Sequence, residues 1–336
     1  MHRALALAAL AAAGCASTAS APGAAPPATE RESHARIAPM TDAAAWDRMP
    51  KGAPPLPVWA RTLADSLPRT TAFQLDLDAV HRTKSPLGPV LAGKIRWTVA
   101  DALRCAYAKE SVEADLAKAG QTEDQIRSLS DAGAAPDADA AALAFARRLT
   151  VDGSALTDEE VADLIAKYGP DDAVGIVHTV AHANFQDRLF LALGLTSEPG
   201  GPAPPREVRP TADEASPVPE RTGGGDARHV AGDGAEVKST WSAATYSDLR
   251  ARLDAQKERK GRIERPTDAG RLARVPRPYR ERMGRVAWGS VSMGYQPVLT
   301  NAWFQTMDTF AAEAKLDETF GETVFWIVTR TNDCFY

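Results

Sequence analysis

"LGPVLAGKIRWTVADALRCA", residues 87–106, decides the fold. Leu87, Leu91, Ile95, Val99 and Leu103 recur every four residues, which lays an apolar stripe along one side of a helix. No strand-like alternation competes. Such a helix holds by packing rather than by its own propensity, so further helices must cover the stripe. "TEDQ" (Thr122 to Gln125) and "TDEE" (Thr157 to Glu160) each place a threonine three residues before a Gln or Glu, the pattern of a capping box, and predict two more helix starts. "AKYGP" (Ala166 to Pro170) supplies a Gly and Pro stop. "DDAVGIVHTVAHANFQDRLFLALGL" is apolar over most of its circumference and is expected to run through the middle of a bundle that ends near Leu195.

The same stretch recurs. Shifted by 229 positions, Trp59 meets Trp288, Leu87 meets Leu316, Trp97 meets Trp326, Cys105 meets Cys334 and Tyr107 meets Tyr336. With 7 tryptophans and 3 cysteines in 336 residues, coincidence at one ungapped offset is a poor account, and a tandem duplication is the reading. "TVFWIVT" has strand propensity, but its register with residues 87–106 predicts helix. Copy one continues for about ninety residues beyond Cys105, whereas the sequence in hand ends at Tyr336, one core-rich segment into copy two. A half-built helical domain leaves apolar faces uncovered. The expectation is a fragment cut inside its second domain, or else a short domain completed by a partner chain.

The resulting organisation has residues 1–15 as a signal peptide with a lipobox, 16–42 as a disordered tether and 43–197 as a first domain. Residues 198–237, rich in Pro and Gly, form a linker, and 238–336 are the N-terminal part of a second domain. The leader has Arg3, an apolar run from Ala4 to Ala13 too short to span a bilayer, and Ala12-Ala13-Gly14 before Cys15. This order resembles a bacterial lipobox, which implies lipidation of Cys15 and a cell-envelope location; ordinary cleaved secretion is the alternative. A net charge of -5 gives no positive surface for a nucleic-acid backbone.

"RCAYAKESVEADLAKAG" (Arg104 to Gly120), the Thr-Glu-Asp-Gln start, "LTDEEVADL" and "NFQDRLFLALGL" together resemble the carboxymuconolactone decarboxylase and alkylhydroperoxidase D superfamily. The resemblance covers residues from about Leu56 to Leu195, and again from about Val275 to Tyr336. It implies an all-α fold, the alkylhydroperoxidase D-like helical bundle, as one complete copy plus part of a second. Redox members carry a glutamate twelve residues before a Cys-x-x-Cys pair and a histidine four residues after it. Glu322 and Cys334 match the glutamate and the first cysteine; the second would follow Tyr336. In copy one these positions read Gly93, Cys105, Ala108 and Val112, so the partner cysteine of Cys105 is replaced by Ala108 and copy one is expected to be redox-incompetent.

The chemistry sets geometric demands. A thiolate attacks peroxide oxygen to give a sulfenic acid, which a second thiol resolves as a disulfide, so both sulfurs belong within one helical turn. Twelve residues of straight helix would separate Glu322 from Cys334 by roughly 18 Å. The helix must therefore break between them, with Asn332 or Asp333 capping a new helix and Cys334 in its first turn. A lone cysteine is otherwise a small buried hydrophobe, the reading preferred for Cys105.

His178 and His182 stand one helical turn apart with Gln186 next in line. Zinc ligation, pocket-lining proton handling and a satisfied core role all fit that spacing; no third ligand is evident, and no metal or cofactor is expected. Asn184, Asp187 and Arg188 are expected to fix packing through buried hydrogen bonds. The leading expectation is an envelope-anchored, thiol-dependent peroxidase acting through copy two, with peroxide or a small organic molecule as substrate and an external thiol reductant. A cofactor-free decarboxylase-type enzyme on a small carboxylated ring, or a non-catalytic scaffold, are the alternatives. Two copies in one chain imply an intramolecular pseudo-dimer or a homo-oligomer.

Overall fold

Helix boundaries follow from caps and breakers. Thr122 Oγ1 accepts from Gln125 N (3.2 Å) while Gln125 Oε1 accepts from Thr122 N (2.8 Å), and Thr157 and Glu160 make the same reciprocal pair at 3.2 and 2.7 Å. Both capping boxes stand where the sequence put them. The computed structural model describes residues 36–50, 52, 55–130, 139–208, 245–257, 261–273, 275 and 287–331. Among these the chain is all-α, 74% helix with no strands.

The first lobe holds α1 (Asp42–Arg48), α2 (Val58–Leu63), α3 (Pro68–Thr83), α4 (Gly88–Leu103), α5 (Ala106–Lys118), α6 (Glu123–Arg127), α7 (Ala140–Asp152) and α8 (Asp158–Leu193). Then follow α9 (Tyr246–Lys257), α10 (Ala269–Ala273), α11 (Ala287–Tyr295), α12 (Pro297–Glu313) and α13 (Glu318–Thr331). Helix α4 is central and packs on α5, α7 and α8. Ile95 and Val99 from its stripe are fully buried, in one cluster with Phe145, Ile176 and Val180. Gly169 (φ 75°, ψ 165°) and Pro170 break α8 into two helices, because a φ that only glycine adopts freely is followed by a residue without an N–H. The second half, 171–193, carries the buried face and ends on Gly194 in the left-handed region.

Helices α2, α3 and α4 begin at Val58, Pro68 and Gly88; α11, α12 and α13 begin at Ala287, Pro297 and Glu318, within one residue of a constant spacing of 229. The detail repeats too. Thr71 Oγ1 donates to Leu67 O and Thr300 Oγ1 donates to Gln296 O, each at 2.7 Å and each at an equivalent place. Residues 324–329, β-branched as they are, lie within α13, so register overrides local propensity.

The two lobes meet helix to helix, α3 against α12. Thr306 Oγ1 lies 3.3 Å from Phe73 O, while Leu77 and Ala302, their counterparts under the 229 shift, share one apolar cluster. That exchange is the mark of an approximate two-fold axis. The symmetry is broken at the buried Glu313, whose carboxylate accepts from Arg69 N (2.9 Å) and Thr70 N (2.7 Å) in the first turn of α3.

Two boundaries differ from the sequence reading. Residues 36–41, assigned to the tether, already touch the bundle, with Arg36 N donating to Leu193 O (2.9 Å) and Met40 N to Arg61 O (3.1 Å). Residues 198–208, assigned to the linker, lie across the first lobe as a strap: Glu198 and Val208 are buried, and Glu207 pairs with Lys84 (2.8 Å). Pro and Gly content reports the absence of helix; it does not report detachment. Among the described residues no helix is long and apolar enough to cross a membrane.

Candidate functional site

Four helices of the first lobe converge on a buried polar network. From α3, Arg82 donates to Asp78 Oδ2 (3.1 Å) and reaches both oxygens of Asp115 on α5 (2.8 Å each). Arg96 on α4 donates to Asp115 Oδ2 (2.9 Å), and Gln186 on α8 donates to Asp78 Oδ1 (2.8 Å). Helical spacing explains the convergence, since Asp78 and Arg82 are one turn apart on one face. Burial pushes the Asp115 carboxyl up, but the hydrogen bonds and charges of Arg82 and Arg96 outweigh it and hold Asp115 below the ordinary carboxylate range.

Beside the network lies a cavity of about 20 Å³, room for one water and no organic substrate. Arg82, Arg96, Tyr107, Gln186, Asp187 and Glu198 supply its polar walls. Glu198 enters from the strap and accepts from Val58 N (2.7 Å) and from the Tyr107 hydroxyl. Burial raises the Glu198 carboxyl above its ordinary value, with the Tyr107 and Val58 bonds offsetting only part of that. Asp187 is 3% exposed and its Oδ2 has no hydrogen-bond partner; burial drives its carboxyl well above the ordinary value, against the lowering charges of Arg96 and Arg188.

The residues singled out in the sequence scatter around this centre. Cys105 caps α5 and is buried, its Sγ 3.7 Å from Asp187 O, and burial pushes its thiol up to about 12, where it is no nucleophile at neutral pH. Between Gly93 and Cys105 the chain does break: α4 ends at Leu103, Arg104 is left-handed (φ 56°, ψ 38°), and a new helix starts after Cys105. Ala108 and Val112, the places the resemblance gives to a second cysteine and a histidine, line the cavity. A side chain at Gly93 would meet Leu116 Cδ2 at 2.7 Å, so this lobe has no space for the glutamate. Glu322 is exposed on α13; Cys334 and Cys15 lie outside the described residues.

The histidines are elsewhere than the polar cavity. His182 stacks on His81 of α3, rings 4.0 Å apart and 12° from parallel, and neither of its nitrogens has a partner. His178 points to the lobe interface, its Nε2 3.3 Å from Thr300 Oγ1. Burial lowers His178 to about 4 and His182 to about 3, and lowers His81 well below its ordinary value, so all three are neutral at pH 7. No group of three metal-ligating side chains exists among the described residues. Asn184 does fix packing, donating to Thr150 Oγ1 (2.9 Å) and Val180 O (3.0 Å), whereas Asp187 faces the cavity instead.

Asp78, His81, Arg82, Arg96, Tyr107, Asp115 and Glu198 were not singled out in the sequence, although a signal existed. At the 229 shift Asp78, His81, Arg82 and Arg96 correspond to Met307, Phe310, Ala311 and Phe325. Buried positions that are polar in one copy and apolar in the other mark where the two lobes differ in chemistry. Comparison with protein-family models, with curated proteins and with solved structures finds no match to this chain.

Proposed function

We propose that the chain is a two-lobed protein of the alkylhydroperoxidase D-like type, with thiol chemistry at Cys334 in the second lobe and a first lobe that has given that chemistry up. The observation that carries the reading is the backbone break at Arg104 and Cys105, one helix ending and another beginning between the positions equivalent to Glu322 and Cys334. At such a junction the N–H groups of the next turn pull a thiol's pKa down, as those of Tyr107 and Ala108 do at Cys105, where burial outweighs them; a less buried Cys334 would keep the benefit. In this mechanism the Cys334 thiolate attacks a peroxide oxygen: the S–O bond forms, the O–O bond breaks, and Glu322 manages the proton that leaves with the alcohol or water. A first external thiol then condenses with the sulfenic acid, releasing water and leaving a mixed disulfide, and a second thiol exchanges with that disulfide to return Cys334 as a thiol and leave the two external sulfurs joined. The buried α3–α12 contact supports the first lobe as the partner of an intramolecular pseudo-dimer. Lipid attachment at Cys15 would hold the protein in a bacterial envelope.

The test is to expose the full chain to hydrogen peroxide and trap sulfenic acid with a 1,3-diketone, reading the modified cysteine by mass spectrometry. Labelling at Cys334 with none at Cys105 is expected, and Glu322→Gln should slow it by about a hundredfold. An unlabelled Cys334, or a rate indifferent to Glu322, would remove the peroxidase reading. A second reading, a cofactor-free enzyme acting on a small carboxylated compound, is favoured by one observation, the buried, unpartnered Asp187 Oδ2 beside Arg82 and Arg96 on one cavity of the first lobe.

A further inference from the structure

We propose that the first-lobe cavity is a binding site for small organic carboxylates, held shut by the chain's own Glu198 acting as a displaceable internal mimic of that ligand. Glu198 is 9% exposed on a helix-free strap containing Gly200 and Gly201, both at positive φ, and four prolines. A carboxyl buried from such a segment is a poor way to gain stability, because an apolar side chain would fill the space without the cost of desolvation. Its presence is explained by what it faces. Val58 N–H and the Tyr107 hydroxyl donate to it, and Arg82 and Arg96 line the same cavity.

A second, separate observation points to a ligand. Asp187 Oδ2 is buried and unpartnered on the cavity wall, a polar atom that the closed site leaves unsatisfied. With Glu198 withdrawn, the walls present donors from Val58 and Tyr107, the unpartnered Asp187 and two cations already balanced by Asp78 and Asp115. That set takes an acceptor of the same kind as the group that left. The strap is further held by Arg82 Nη2 to Ala203 O (3.1 Å), Arg206 Nε to Pro55 O (3.2 Å), Lys84 to Glu207 (2.8 Å) and the buried Val208. Of these, the Arg82 bond comes from the cavity wall itself, so release of the strap and rearrangement of the site are coupled.

The experiment uses the full chain and propionate as probe, with propionamide as its neutral counterpart and Trp59, which lines the cavity, as fluorescent reporter. Glu198→Ala should bind propionate at least about tenfold more tightly than the unaltered protein, since an internal occupant present nine-tenths of the time or more lowers apparent affinity by that factor. Glu198→Gln keeps an acceptor for Val58 and Tyr107 and should behave as the unaltered protein does. Equal propionate affinity in Glu198→Ala and the unaltered protein, or equal response to propionamide, would overturn the proposal. If Glu198→Ala does not fold, hydrogen exchange on the unaltered protein decides: propionate should speed exchange in residues 196–208 while Val58 N–H stays protected, and unchanged exchange in the strap refutes it.

Discussion

The two lobes share helix starts, a tryptophan pair and even a threonine-to-carbonyl bond, yet their interiors have diverged in opposite directions. Where the first lobe buries Asp78 and Arg96 with the Arg82 side chain between them, the second has Met307, Phe325 and Ala311; where the second exposes Glu322, the first has a buried Gly93 closed by Leu116. One backbone register thus supports two interiors, and the difference teaches that packing positions define the repeat while buried polar positions define what each copy does. The sharpest way to break that contrast is Arg82→Ala, which imports the second lobe's residue. Asp78 and Asp115 would lose their main counter-charge in a buried setting, at a cost of about 3–5 kcal/mol in urea unfolding. A loss under 1 kcal/mol would mean that the network is ornamental.

Acid should single out the first lobe next. His81, His178 and His182 have folded pKa values depressed below 6.5 by burial, so between that value and about 4 or 3 the unfolded chain binds protons the folded chain refuses. Their contribution is complete above pH 6.5 and is lost as pH falls. Asp187 works against them: raised in the fold, it holds a proton there that an unfolded carboxylate releases, and so adds stability as pH falls through its folded value. The three histidines outnumber the raised carboxyls of Asp187 and Glu198, so stability should fall as pH drops from 7 toward 5. His81→Phe, which copies Phe310, should make that fall shallower. Denaturation midpoints that do not move between pH 7 and pH 5 would contradict this.

The architecture was legible in the sequence because it rests on local signals. The stripe from Leu87 to Leu103, the two capping boxes and the Gly169-Pro170 break each state their geometry within a few residues. The polar site was not, since it joins α3, α4, α5, α8 and the strap, and Tyr107 and Glu198 meet across 91 positions. The strap itself was misplaced for the same reason. Nothing near Glu198 announces that its carboxyl will lie against α2 and α5; only the fold brings them together.

A smaller effect tests the closure of the first lobe against a glutamate. Gly93→Ala pushes a methyl into Leu116, which is fully buried and has little room to yield, and should cost about 1–3 kcal/mol. Trimming the neighbour as Leu116→Ala in the same chain should make the glycine change nearly neutral relative to the trimmed parent. Additive losses in the double variant would show that Leu116 is not what excludes a side chain at this position.

The smallest expected effect concerns the break between α4 and α5. Arg104 is exposed and left-handed, a conformation that costs an L-residue about 1–2 kcal/mol and a glycine nothing. Glycine gives back part of that through the greater freedom of its unfolded chain, so Arg104→Gly should stabilise the protein by less than about 1 kcal/mol. Arg104→Asp should fall between the two, because a short polar side chain tolerates this region better than arginine does. Asp333, at the equivalent place in the second lobe, is that residue. If Arg104→Gly instead lowers the unfolding midpoint, arginine is not strained at the junction between α4 and α5.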